Sequence, residues 1–176
     1  PMVEAEGASR SLFTQGYKYM FAVLSTSEYY LAPVLDIMAD KAKAMGKNPS
    51  DLRISMAFEN DGFSLDVRAG VVDKAKEHGM KIVIDDKLPA DLSDMSATLT
   101  KTKALKPDIL LVSGHSKGAA TAARQIEEMK IDVPLIAYTH CEAAKVQEKF
   151  PKSANGVMCP TQWLSNLPKG DDYFGD

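Results

Sequence analysis

Between residues 53 and 159 the chain alternates short apolar segments with longer amphipathic ones, and this alternation limits the folds open to it. The apolar segments have the length of buried strands, whereas the segments between them space their apolar residues as helices do. Apolar strands separated by helices form a parallel sheet that is covered on both faces. The predicted strands span residues 53–58, 81–84, 108–113, 134–138 and 156–159, and the predicted helices span 63–78, 96–105, 116–130 and 142–150.

These elements predict an α/β fold of three layers, α/β/α, around a mostly parallel five-stranded sheet. Because crossovers between parallel strands are right-handed, few topologies remain. We expect the strand order 2-1-3-4-5, as in flavodoxin-like folds. Gly79 is expected to end the helix at 63–78. The predicted buried stripe of that helix is Leu65, Ala69, Val72 and Ala75.

A further strand at residues 19–23 and a long helix are predicted before this core. Residues 25–28, Ser-Thr-Ser-Glu, have the spacing of a capping box. Pro33 follows, and proline fits only the first turn of a helix. The helix therefore either starts later than the capping box indicates or kinks at Pro33. The two chain ends, residues 1–7 and 166–176, have no evident packing partner in the predicted core.

Composition excludes several classes of protein. The formal net charge is −3, which argues against a nucleic-acid partner, because such a surface needs a concentrated basic face. No apolar run approaches the roughly 20 residues of a membrane span. The first residues have neither the basic start nor the apolar stretch of a signal peptide, and a mature secreted protein, a fragment and a cytosolic protein all fit that sequence.

Polar and aromatic residues follow the predicted strands at the edge where ligands bind in open parallel sheets. Asn60 and Phe63 follow the first core strand, the loop at Gly114 follows the third, and Thr139 follows the fourth. Two of the three histidines lie there, whereas His78 ends a helix and is read as a surface residue. Asp61 and Ser116 are also good helix caps, so capping alone is the rival interpretation. The candidate ligand contacts at these strand ends are Asn60, Phe63, Gly114, His115, Ser116, Thr139 and His140.

Residues 112–118 contain G-x-S-x-G between a strand and a helix, which is the nucleophile-elbow pattern of α/β-hydrolases, with Ser116 as nucleophile. In that family an acid and then a histidine follow the serine along the chain. Here the only histidine after Ser116 is His140, one strand later, and Asp132 precedes that strand, whereas the acid and the histidine should each follow a later strand. We therefore keep an esterase as the alternative function, and we predict no catalytic residue.

The two cysteines, Cys141 and Cys159, leave two structures open: a disulfide, which needs an oxidising compartment, or two small buried thiols. A zinc site with His115 and His140 is disfavoured, since no tight Cys-x-x-Cys or His-x-x-x-His spacing supports it. The chain has no glycine-rich phosphate loop and no dinucleotide fingerprint. We expect no cofactor and no metal.

Several segments, in order along nearly the whole chain, share the pattern of one family. They are Gly7-Ala8-Ser9, Phe13, Tyr17 to Phe21, Tyr29-Tyr30, Pro33, Asn60 to Ser64, Lys106 to Leu111, Gly156-Val157 and Pro160 to Trp163. This order and spacing resemble the type I periplasmic solute-binding proteins of ABC importers, and more closely the branched-chain amino acid (leucine/isoleucine/valine) binding family. That resemblance implies two similar lobes joined by crossing strands, with a solute held between them.

The resemblance implies that this chain is mainly the second lobe. Residues 1–18 would be a first-lobe remnant and hinge crossing, residues 19–163 the second ligand-binding lobe, and residues 164–176 the return hinge with the start of a first-lobe segment. It implies partners too: a small solute, the membrane subunits of an ABC importer, and the missing first lobe. The expected location is periplasmic or otherwise extracytoplasmic. A receptor-type sensor lobe is a further alternative.

Carried over residue by residue, the family's solute contacts fall on Phe63, on His115 with Ser116 beside it, and on His140. Trp163, at the second hinge, is expected either to line the cleft or to pack in the hinge. The family has an acidic residue near the position of His140, where it faces the ammonium group of an amino acid. A histidine suits a carboxylate or a neutral polar group instead. The expected solute is therefore amino acid-like, an aromatic or aliphatic acid, or an amide.

Overall fold

A computed structural model of the chain describes residues 1–5 and 7–162. Trp163 and the predicted return hinge at 164–176 lie outside these residues. The six strands are β1 (Met2–Glu4), β2 (Met20–Ala22), β3 (Arg53–Glu59), β4 (Lys81–Leu88), β5 (Ile109–Ser113) and β6 (Leu135–Tyr138). The helices are α1 (Ala32–Ala44), α2 (Gly62–His78), α3 (Ser96–Leu105), α4 (Ser116–Glu128), α5 (Ala144–Lys149) and α6 (Pro151–Ala154). Single 3-10 turns occur at Arg10–Leu12, Ser27–Tyr29 and Pro49–Asp51.

The main sheet has the order β4-β3-β5-β6, and all of its strand pairs are parallel. This is the predicted order for the first four core strands. The fifth strand, expected at 156–159, is reduced to one parallel bridge between Ala137 and Met158. That bridge lies beside β6, where a fifth strand in this order would pair.

Two hydrophobic cores flank the sheet, because successive side chains of a strand point to opposite faces. Met56 and Phe58 of β3 pack into a core with α1 and α2. Ala57 packs into the other core, with α3 and α4. The predicted three-layer α/β/α architecture is therefore confirmed.

Helix α1 begins at Ala32, later than the capping box at residues 25–28 indicates. The box residues form the turn Ser27–Tyr29, and Pro33 occupies the first turn of α1, where its missing N–H costs no hydrogen bond. Of the two readings of Pro33, the later helix start is correct. Strand β2 pairs in parallel with β1, so residues 2–4 have a partner that the sequence did not reveal.

The predicted buried stripe of α2 is wrong at three of its four positions. Ala75 is buried, but Ala69 is exposed and Leu65 and Val72 are only partly buried. The helix is rotated so that Ser64, Val67 and Val71 face inward instead. Turn Ser27–Tyr29 covers part of α2, and this contact between segments distant in sequence changes which face is buried.

Tyr138 ends β6 with its side chain fully buried, and its hydroxyl has no hydrogen-bond partner within the described residues. Burial raises the pKa of Tyr138 to about 12. A buried hydroxyl without a partner carries a desolvation cost of about 1–3 kcal/mol. We therefore expect Tyr138→Phe to stabilise the fold by about 1 kcal/mol, which raises the melting temperature by roughly 2–4 °C.

Thermal unfolding of the purified variant measures this effect. Tyr19→Phe is the matched control, because Tyr19 is 69% exposed and the substitution therefore removes no buried hydroxyl. A lower melting temperature for Tyr138→Phe than for the wild type would show that the hydroxyl does have a partner.

Candidate functional site

Three of the predicted ligand residues meet at the carboxyl edge of the main sheet. Phe63 stands in the first turn of α2 after β3, His115 caps α4 after β5, and His140 follows β6. Their ring centroids are 5.5 Å apart for Phe63 and His115, 5.6 Å for Phe63 and His140, and 5.6 Å for His115 and His140. We call Phe63, His115 and His140 the aromatic cluster. Three separate strand ends thus build one surface that can pack against a flat or apolar group.

Tyr30 extends the aromatic cluster, although the sequence did not single it out as a site residue. Its ring meets the ring of Phe63 edge to face at a centroid distance of 5.4 Å. Burial raises the pKa of Tyr30, so its hydroxyl stays protonated at neutral pH. A groove of about 540 Å³ borders the same tyrosine and is lined by Pro33, Ile37 and Met158, among others.

His140 is held in a fixed orientation by the backbone. It has a positive φ of 59°, and its Nδ1 lies 2.9 Å from the carbonyl oxygen of Gly114. Because a carbonyl oxygen only accepts, Nδ1 carries a proton and Nε2 remains available to a ligand. A protonated His140 would therefore offer a donor at Nε2 to an anionic group.

Thr139 and Gly114 form a closed pair of hydrogen bonds. The Thr139 hydroxyl donates to the Gly114 carbonyl oxygen at 2.7 Å and accepts from the Gly114 N–H at 3.1 Å. Thr139 is 1% exposed, and Gly114 is buried too. These two residues tie the loop after β5 to the loop after β6. Because both residues are buried, neither offers an accessible group to a solute. Their direct contact with a solute remains a prediction.

The other predicted contacts lie around the aromatic cluster. Asn60 is exposed, and its N–H donates to the Leu88 carbonyl oxygen at 2.8 Å. Ser116 is exposed at the first residue of α4. The N-cap interpretation of Asp61 is confirmed, since its Oδ1 accepts from the Ser64 N–H at 3.1 Å. Trp163 falls outside the described residues, so its place in the cleft stays a prediction.

Two carboxyl groups, those of Glu59 and Asp61, lie near His115. From the sequence alone, neither of them was assigned to the site, and Asp61 was named only as a helix cap. Glu59, the last residue of β3, is 1% exposed, and burial together with the charge of Asp61 raises the pKa of Glu59 to about 7. Asp61 Oδ1 lies 3.7 Å from His115 Nε2. Glu59 escaped attention because an acidic residue at a strand end reads as an exposed loop residue.

The cysteines and Ser116 offer little catalytic or metal-binding chemistry. Cys141 and Cys159 form a disulfide with a Cα–Cα distance of 5.6 Å, so neither is a thiolate ligand. The only histidine that follows Ser116 in the chain is His140, whose Nδ1 bonds a backbone carbonyl rather than the carboxylate that orients a catalytic histidine. Within the described residues no hydrogen bond joins Ser116 to either histidine of the cluster. The geometry therefore does not favour the hydrolase.

The sequence model of the periplasmic binding protein family matches residues 7–174 of the chain. A curated relative, Leu/Ile/Val-binding protein homolog 8 of Brucella abortus, is 22% identical over 129 residues, which are 73% of this chain and 32% of the relative. Homolog 7 of Brucella suis is 19% identical over the same shares. The chain thus spans about a third of the length of these curated relatives.

Solved structures share the fold at low sequence identity. A leucine-binding protein from Thermotoga maritima has a TM-score of 0.73 and 18% identity, with 93% of this chain and 45% of that chain covered. An ABC-transporter solute-binding protein of R. palustris, solved with benzoate, has a TM-score of 0.70 and 12% identity, with 85% and 39% covered.

Proposed function

Because the chain belongs to the periplasmic binding protein family, we propose that it is the second lobe of an extracytoplasmic solute-binding protein that delivers a small solute to an ABC importer. The observation that carries this proposal is the convergence of Phe63, His115 and His140 from three strand ends on one edge of the sheet. A ligand at that edge would be enclosed when a second lobe closes over it. The first lobe and the importer's membrane subunits are the implied partners.

The chemistry of the aromatic cluster favours a solute with a carboxylate and a flat or branched apolar part. Phe63 and Tyr30 supply apolar ring surface. His140 is oriented through Nδ1, and the ring of His115 lies beside it with the two ring centroids 5.6 Å apart. Imidazolium groups are good donors to a carboxylate. We therefore rank aromatic and aliphatic acids first, ahead of plain amino acids and amides.

The ligand of one solved structure, benzoate, agrees with this ranking, whereas another solved structure is a leucine-binding protein. Both ligands carry a carboxylate, but only leucine carries an ammonium group. Among the described residues, the strand end that carries His140 offers an imidazole where an ammonium group would need a carboxylate. The proposal therefore predicts that benzoate-like acids bind more tightly than leucine.

An extracytoplasmic location goes with the family, and the Cys141–Cys159 disulfide agrees with an oxidising compartment. None of the helices in the described part of the chain is long and apolar enough to cross a membrane. A sensor lobe would use the same cleft. A transport assay distinguishes the two functions. If the protein with bound solute stimulates transport by purified importer subunits, it serves an importer rather than a sensor.

Removing either end of the cluster is expected to weaken solute binding. We expect His140→Ala and Phe63→Ala to lower the affinity of the full-length, two-lobed protein for its best acid by about 10- to 100-fold, since each removes a charged hydrogen bond or a ring contact of about 1.4–2.7 kcal/mol. Isothermal titration calorimetry with benzoate, 3,4-dihydroxybenzoate, leucine and benzamide measures the affinity of each variant and of the wild type.

His78→Ala is the matched control, because His78 bonds Asp36 at the far end of α2. Its affinity should equal that of the wild type. If none of the four compounds binds the wild type and Ser116→Ala abolishes an ester hydrolysis, the solute-binding proposal is wrong.

A further inference from the structure

Glu59 lies beneath the loop that carries His115. A Cβ added at Gly114 would lie 2.6 Å from Glu59 Oε1, and one added at Gly118 would lie 2.7 Å from the same oxygen. Both glycines therefore leave the space that the carboxyl group fills. The backbone N–H of His115 donates to this carboxyl group. Glu59 thus connects the end of β3 to the loop between β5 and α4.

Glu59 also meets a second acid. A carboxylate oxygen of Glu59, one of Asp61 and a ring nitrogen of His115 lie within 4.8 Å of one another, and each acid keeps one buried oxygen, Glu59 Oε2 and Asp61 Oδ2, without a partner in the described part of the chain. When two carboxyl groups lie this close, each disfavours ionisation of the other, so the pair favours holding one proton. Burial contributes most to this preference for the protonated form, followed by the charge of Asp61.

The groups around the pair add little positive charge. Asp91 contributes further negative charge, and its own partner is Lys117 at 3.8 Å. Asp61 Oδ1 lies 3.7 Å from His115 Nε2. When the shared proton is present, the pair carries one negative charge beside the aromatic cluster, and when it is lost, the pair carries two. The second charge is buried at the point where the His115 N–H is bound.

We infer that Glu59 is a positioning residue for solute capture: its carboxyl group, sharing one proton with Asp61, holds the Gly114–Ser116 loop and His115 in place and makes solute affinity fall as that proton is lost. This inference rests on the proposed function, since it concerns the same cleft. The loss of the proton adds repulsion toward an anionic solute and strains the loop that carries His115. Affinity for a carboxylate should therefore decline as the pH rises through neutrality.

The test compares wild type with Glu59→Gln in the full-length protein. Glutamine has the size of glutamate, can accept from the His115 N–H and can donate to Asp61, but it holds no titrating proton. Benzoate affinity is measured by calorimetry at pH 6, 7 and 8. The wild type should lose about tenfold more affinity between pH 6 and pH 8 than Glu59→Gln does, because only the wild type loses the Glu59 proton and one pKa unit corresponds to a tenfold effect.

A second readout needs no solute. The raised pKa of Glu59 means that the folded state binds the proton more tightly than the unfolded chain, so wild-type stability falls as the pH rises from about 5 to about 7. The melting temperature of Glu59→Gln should fall less over that window. Asp40→Asn, an exposed acid on α1, controls for the removal of one charge and should retain the wild-type slope.

The two proposals fail separately. If the wild type binds none of the four compounds at any pH, the proposed function fails, whereas the stability profiles still decide whether the pair holds the proton. Equal affinity ratios and equal stability slopes for wild type and Glu59→Gln would overturn the inference. So would a melting temperature that drops on addition of EDTA, since a bound cation would then replace the shared proton.

Discussion

Replacing Gly70 with alanine is expected to destabilise the fold by about 3 kcal/mol, the upper range for overpacking a well-packed contact. Gly70 lies in the middle of α2, where the turn Ser27–Tyr29 crosses the helix. A Cβ at this position would overlap the backbone carbonyl oxygen of Glu28. A backbone group cannot move aside as a flexible side chain can, so either the turn or the helix must shift.

Chemical denaturation of Gly70→Ala against wild type measures this loss. Gly62→Ala is the matched control, because it adds the same methyl group to the same helix, where the nearest atom of the surroundings is Ser9 Oγ at 3.6 Å. Alanine is a better helix former than glycine, so the control should be neutral or stabilised by up to about 1 kcal/mol. Equal stability of the two variants would show that the turn does not pack against α2 as the structure has it.

Loss of the Cys141–Cys159 disulfide is expected to cost about 3 kcal/mol, since it closes a loop of 18 residues, and a cross-link of that length restricts the unfolded chain by about this amount. The disulfide ties the loop after β6 to the segment that forms the Ala137–Met158 bridge. One parallel bridge contributes few backbone hydrogen bonds, so the covalent link should dominate how firmly this segment is held.

The double variant Cys141→Ser/Cys159→Ser should melt roughly 6–12 °C below the wild type. Adding a reductant to the wild type should reproduce this drop, and adding it to the double variant should change nothing. A wild type that melts at the same temperature with and without reductant, together with two free thiols in a thiol assay, would show that the cysteines are not paired.

Much of the framework could be predicted from local patterns. The apolar strands and the expected helix end at Gly79 led to the observed order of β4, β3, β5 and β6. From that order alone, the ends of β3, β5 and β6 had to meet at one edge, and Phe63, His115 and His140 do meet there. The handedness of crossovers between parallel strands is nearly invariant. The sequence pattern was therefore sufficient to predict which strand ends meet.

Contacts between distant segments were beyond such reasoning. The start of α1 at Ala32 and the rotation of α2 both depend on where the turn Ser27–Tyr29 packs. The sequence also left the cysteine pairing open, because two thiols near neighbouring strand ends fit either state until their Cα separation is known.

The sequence by itself determined the layers and the strand order, because periodicity and chain order report them directly, and from these it predicted the edge at which we propose that a solute binds. Only the tertiary structure decided that Glu59 is buried under Gly114 and Gly118 and lies close to Asp61. The physical reason is that burial changes the protonation of a carboxyl group, and the burial of Glu59 depends on Gly114 and Gly118, more than 50 residues further along the chain.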